Sequence, residues 1–237
     1  MRRGSWVVRP GQTQDVVFGT MQVIDAESFL AVSGVSRETM ERLRAFEALL
    51  LKWQKSINLI SSATLTQIWP RHIWDSAQLL PLVPDEARLW LDVGSGAGFP
   101  GIVAAAMLRD RPGFRMHLVE SDQRKGIFLR EAARIMDLPV TVHTCRIEDW
   151  QMPDGVTPDI ISARALASLD KILVWTSPFW GKQTIGLFPK GASVKEELTQ
   201  SRKDWIFETE AKASQSDGSG TVLKLWGLKH ANLRRED

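Results

Sequence analysis

Residues 89–101, LWLDVGSGAGFPG, decide the fold of this 237-residue chain. A run of strand character over 89–93 carries an acid, Asp92, near its end. Gly94, Gly96, Gly98 and Gly101 follow, and then an apolar helical segment, IVAAAML. Glycines let the backbone turn sharply and let a ligand approach without a side chain in between. The helix start beyond them offers unpaired N–H groups. Such a turn at the carboxyl end of a first parallel strand is a nucleotide-type pocket.

Gly96, Gly98 and Gly101 satisfy G-x-G-x-x-G literally, the pattern of a dinucleotide site. Two residues argue against a pyrophosphate. Asp92 would repel it, because a phosphate wants a helix N-terminus without a nearby carboxylate. Pro100 removes one N–H that a phosphate could use. S-adenosylmethionine has no phosphate and carries an ammonium and a sulfonium, both of which favour a carboxylate. Glu120, at the end of the second strand, would accept the ribose hydroxyls of either cofactor. After the third strand, Ile147 is placed to cover a ring face, with Glu148 beside the amino edge of the adenine.

Outward from this stretch, strands and helices alternate, the signature of a parallel sheet covered on both faces. Strands are expected at 89–93, 115–120, 140–144, 158–163 and 184–188, with helices at 99–109, 123–137, 168–176 and 193–202. Residues 204–229 read as two strands around the turn-rich link SDGSG, a hairpin. Residues 85–237 thus form an α/β domain with the strand pattern of a seven-stranded Rossmann-like methyltransferase sheet, its last strand antiparallel. Residues 21–84 read as a small N-terminal helical extension. Ser36 is a natural N-cap, and Met40, Leu43, Phe46, Leu50 and Trp53 recur at helical spacing. Pro70 suits the first turn of another helix, on which His72, Asp75 and Ser76 share a face. Residues 1–20 have no sustained period and are expected to be a disordered tail, with Arg2, Arg3 and Arg9 as an alternative RNA-contacting arm.

One cysteine, Cys145, excludes an intrachain disulfide and a cysteine-based metal site. No apolar run approaches the length of a membrane span, and no secretion signal is evident, so the cytoplasm is the expected compartment and a monomer the expected state. The net charge of +2, with a pI near 8.8, is compatible with a polyanion partner.

The segment after the fourth strand, ISARALASLD, is where this fold carries acceptor chemistry. It lacks the Asn/Asp-Pro-Pro-aromatic turn that goes with exocyclic amine methylation. Attack at a pyrimidine carbon needs a cysteine, and Cys145 sits in the wrong loop. What remains is an acceptor that is already a nucleophile, such as guanine N7, which has a lone pair and no proton to lose. Alignment alone then suffices, and no catalytic base is expected. Arg164 is the one strong polar residue of this loop, suited to O6, to a phosphate or to the wall of the cofactor site.

Taken together, KWxKxxNL at 52–59, RHIxDS at 71–76, LDVGSGAGFPG at 91–101, ESxxRKxxFLR at 120–130, RIEDW at 146–150, ISARALASL at 161–169 and PKG at 189–191 resemble the bacterial 16S rRNA guanine-N7 methyltransferases, the glucose-inhibited division protein B family. Relatives often carry aspartate where Glu120 stands. The resemblance implies S-adenosyl-L-methionine as cofactor and the 16S rRNA of the small ribosomal subunit as substrate. It places cofactor contacts on Gly94, Phe99, Ile147, Glu148 and Arg164. Asp92, Gly96, Gly98 and Glu120 complete that pocket on the physical argument. His72, Asp75 and Ser76 would shape the acceptor side, and Arg124, Lys125 and Lys190 would meet rRNA phosphates. A nicotinamide-dependent oxidoreductase and a non-catalytic rRNA-binding assembly factor stand as alternatives.

Overall fold

The computed structural model describes residues 22–216 and 218–232, so the expected tail at 1–20 lies outside the described residues. One seven-stranded sheet, in the order β3-β2-β1-β4-β5-β7-β6, organises the chain. β3 (Val140–His143), β2 (Arg115–Val119), β1 (Leu89–Val93), β4 (Ile160–Ser162) and β5 (Ile185–Lys190) are parallel neighbours in that order. β6 (Trp205–Ala213) and β7 (Thr221–His230) form the hairpin, and β7 runs antiparallel to β5. The chain reverses its direction of sheet growth between β1 and β4. That switch point is where a parallel sheet opens a crevice at its carboxyl edge. The expected strands are all present, and β5 extends through Pro189 and Lys190.

β1 is buried along its whole length, as a central parallel strand covered on both faces should be. Its alternation divides the core in two. Trp90 joins Met116 and Leu118 on one face, and Leu91 and Val93 join Val119 and Ile161 on the other. The first face is covered by α4 (Gly101–Leu108) and α5 (Gln123–Ile135), and the second by α6 (Leu169–Thr176). α7 (Val194–Ser201) packs against α6.

The N-terminal helices do not build a core of their own. α1 (Ala26–Ser33), which the sequence did not resolve from its surroundings, is closed at its start by a capping box of Asp25 and Ser28. α2 (Arg37–Gln54) starts at Ser36, whose hydroxyl accepts the Thr39 amide at 3.1 Å. Phe46 of α2 is fully buried, with ring centroids 5.4 Å from Phe99 and 6.1 Å from Phe128. The helical extension and the α4/α5 layer therefore share one continuous apolar cluster. The helix expected after Pro70 begins as a π-helical turn, Trp69–Trp74, and continues as α3 (Asp75–Ala77). Such turns are rare and concentrate at functional sites.

Candidate active site

The glycine turn leaves β1 by hooking back on β2. The amides of Gly94 and Ser95 both donate to the Val119 carbonyl, at 2.8 and 3.2 Å. Gly98 has φ +88°, and a β-carbon there would stand 2.6 Å from Ile102, so only glycine allows the turn to close onto α4. Gly96 faces open space: a β-carbon would meet nothing nearer than 3.8 Å. Glu120, 7% exposed, follows β2 and ties the turn to the next loop. One carboxylate oxygen accepts the Gly96 amide at 2.7 Å and the other the Asp122 amide at 2.8 Å. Each oxygen keeps a further lone pair. Ile147 is buried and Glu148 exposed on the short turn Ile147–Asp149 after β3.

Asp92 departs from the expectation that it meets the cofactor directly. It is 0% exposed and lies beneath the turn. One carboxylate oxygen accepts the Ser162 hydroxyl at 2.5 Å, and Ser162 in turn accepts the Trp90 indole N–H at 2.8 Å. The other oxygen is buried without a hydrogen-bond partner among the described residues. It lies 2.8 Å from where a β-carbon on Gly101 would stand. The carboxylate thus sits against the N-terminus of α4, where a pyrophosphate would otherwise bind. Burial pushes the Asp92 pKa up to about 6, against the opposing pull of the Ser162 hydroxyl.

The loop after β4 meets the 71–75 segment in a buried polar knot. Arg164 donates to the Asp75 carboxylate at 3.1 Å, to His72 Nδ1 at 2.9 Å and to the Arg71 carbonyl at 3.3 Å. Its guanidinium also lies 5.1 Å from the Phe99 ring centroid, within cation–π range. Burial lowers the Arg164 pKa, and Asp75 opposes that shift. Since Arg164 donates to Nδ1, the proton of His72 belongs on Nε2, which stands 2.9 Å from the Thr64 hydroxyl. The imidazole stacks on Phe99, with centroids 5.0 Å apart and planes at 24°. Burial, Arg164 and Arg71 depress its pKa to about 3. His72 is therefore a neutral ring with both nitrogens engaged, unfit to act as a base at neutral pH. Phe99 links the two halves of the site: it follows the glycine turn and carries His72 and Arg164.

Asp75 also holds the β6/β7 turn. Its second oxygen accepts the hydroxyl of Ser216 at 2.5 Å and the Gln78 amide at 2.8 Å. A cavity of about 420 Å³ opens beside this knot, with Arg71, His72, Asp75, Arg164, Lys190 and Ser216 in its walls.

Three further expectations need correction. Ser76 does not face the acceptor side with His72 and Asp75. It is fully buried, and its hydroxyl donates to the His72 carbonyl at 2.7 Å, the usual i−4 bond of a helical serine. Lys190 does not present its charge for a phosphate. Its ammonium, 2.9 Å from Glu197 and 2.9 Å from the Ala167 carbonyl, belongs to a side chain only 7% exposed. Arg164 is not free to reach guanine O6 or a phosphate, being committed to Asp75 and His72. Arg124 is exposed at the start of α5, with one guanidinium N–H donated to the Ser56 carbonyl, and Lys125 beside it is half-buried. Sequence reasoning missed Thr64, Glu197 and Ser216, which no local pattern marks because each reaches the site by tertiary contact.

A parallel five-strand sheet extended by an antiparallel hairpin, with a glycine turn after β1 and an acid after β2, defines a class I methyltransferase fold. Solved structures share it at 13% and 14% identity: an O-methyltransferase from Bacillus cereus in complex with SAH (TM-score 0.56, covering 87% of this chain and 98% of that one) and a SAM-dependent methyltransferase from Aquifex aeolicus (TM-score 0.54, 76% and 98%). Within that class, the chain belongs to the rRNA small subunit methyltransferase G (GidB) family, whose model matches residues 39–221. It is 56% identical over 216 residues to the ribosomal RNA small subunit methyltransferase G of Parvibaculum lavamentivorans, covering 91% of this chain and 95% of that protein. The Rhodospirillum centenum protein of the same name is 46% identical, over 84% of this chain and 89% of its own.

Proposed function

We infer that the protein transfers a methyl group from S-adenosylmethionine to N7 of a guanine in the 16S rRNA of the small ribosomal subunit. The observation that carries this reading is the joining of the two half-sites. Leu166 of the acceptor loop lies against Gly94 of the glycine turn, so close that a β-carbon on Gly94 would stand 2.4 Å from it. The family membership and the name shared by its relatives supply the rRNA.

The residues present fit the cofactor. The orphaned oxygen of Asp92 keeps negative potential under the turn, Gly96 leaves its face open, and Glu120 has lone pairs left for two hydroxyls. Ile147 and Glu148 would flank the adenine. S-adenosylmethionine, when bound, supplies an electrophilic methyl group on a sulfonium sulfur. Guanine N7 has no proton to lose, so the chain needs no base. This agrees with the neutral, fully engaged His72 and the ion-paired Asp75. What the chain supplies is alignment and exclusion of water. His72, Asp75 and Arg164 would form the acceptor wall, and Arg124 and Lys125 would contact RNA phosphates. The protein would act as a cytoplasmic monomer. Among the described residues, no helix is long and apolar enough to cross a membrane.

Calorimetric titration with S-adenosylmethionine and with NAD tests the cofactor. Saturable binding of the first and none of the second is expected. Tighter binding of NAD would overturn the reading.

A further inference from the structure

We propose that Glu197 on α7, acting through Lys190, is a positioning residue for methyl transfer, clamping the acceptor loop against the glycine turn. The proposal rests on the methyltransferase reading above and concerns side chains that act on the loop rather than on the reacting atoms.

The loop 164–169 is pinned at both ends. At the first, Arg164 is locked by Asp75 and His72. At the second, Lys190 donates to the Ala167 carbonyl at 2.9 Å, and Glu197 accepts the Leu169 amide at 2.8 Å. The two side chains also pair with each other at 2.9 Å, with exposures of 7% and 18%. Ser193 donates its hydroxyl to the other Glu197 oxygen at 2.8 Å, so the carboxylate is fixed on both sides. Between the pins, Ala165 adopts φ +52°, a conformation a non-glycine residue keeps only when its surroundings hold it. Leu166, the next residue, is the one that meets Gly94. A side chain of α7 thereby sets where the acceptor wall stands relative to the cofactor turn. Small misplacements of reacting groups are costly: about 1 Å can lose on the order of 100-fold in rate.

The test compares K190M, E197Q and the double variant in methyl transfer from labelled S-adenosylmethionine to small-subunit rRNA. Positioning predicts that each single variant lowers kcat about 10- to 100-fold. It also predicts that KM for the RNA and its salt dependence stay unchanged, and that the double variant is no worse than either single one. A phosphate contact by Lys190 predicts the reverse: K190M weakens RNA binding and reduces the salt slope by about 1, while E197Q has full activity. That result would overturn the proposal. E197Q keeps the size of the side chain and carries the test alone if K190M fails to fold. Hydrogen exchange at the Leu169 amide reads the clamp independently of activity, and protection should be lost in E197A, which deletes the acceptor that Gln would keep. Retained protection would refute the clamp. A wild-type protein that transfers no methyl group would refute the functional reading instead, leaving the exchange measurement to decide the clamp.

Discussion

At the residue scale, the buried carboxyl of Asp92 and the buried imidazole of His72 pull stability in opposite directions as pH falls. The folded Asp92 has a pKa of about 6 against 3.8 for an unperturbed aspartate. Between those values the folded protein holds a proton that the unfolded chain has released, so this group adds stability as pH falls, ~3 kcal/mol at most. His72 has a folded pKa near 3 against 6.5. The unfolded chain takes up its proton first, so this group costs stability as pH falls below 6.5. Asp92→Asn removes the first effect and leaves the second. Urea denaturation of this variant should therefore show stability falling more steeply from pH 6 to pH 4 than in the parent. Parallel pH profiles would show that Asp92 is not held protonated as its burial implies.

At the scale of elements, the site depends on how α2 seats the glycine turn. Phe46 is 0% exposed and abuts Phe99, which carries His72. Phe46→Ala should cost about 3–5 kcal/mol of stability and also weaken S-adenosylmethionine binding, read by urea denaturation and calorimetry. A loss of stability with unchanged affinity would uncouple the helical extension from the pocket. The strands were legible because their alternation and bounding turns are local, and α2 was legible from its cap and apolar stripe. α1 was not, because eight residues carry too few turns to establish a period. The π-helical turn at Trp69–Trp74 was not either, because a single turn leaves no repeat to read. The glycines were legible, since the backbone of the turn demands them, but the bonds of Glu120 to the Gly96 and Asp122 amides were not, because they join two separate loops. Lys190 was misread because its partner lies on another element, and a lone lysine reads as solvated charge. Ser216, 141 residues away from the Asp75 it caps, left no trace at any local spacing.

At the scale of the whole molecule, the sheet brings a glycine turn, a neutral histidine and a locked arginine to the one crevice where its growth reverses. None of these groups needs to move a proton. An arrangement that relies on placement rather than on acid–base residues suits an acceptor that is nucleophilic as it stands. The central claim is that this acceptor is N7 of a guanine in small-subunit rRNA. N7-methylguanosine can be mapped in 16S rRNA by borohydride reduction and aniline cleavage. The most direct measurement compares that map in cells carrying the protein, in cells lacking it, and in cells complemented with Glu120→Ala. The account predicts one cleavage present with the wild-type protein and lost both in its absence and with the variant. An identical cleavage pattern in cells lacking the protein would contradict it.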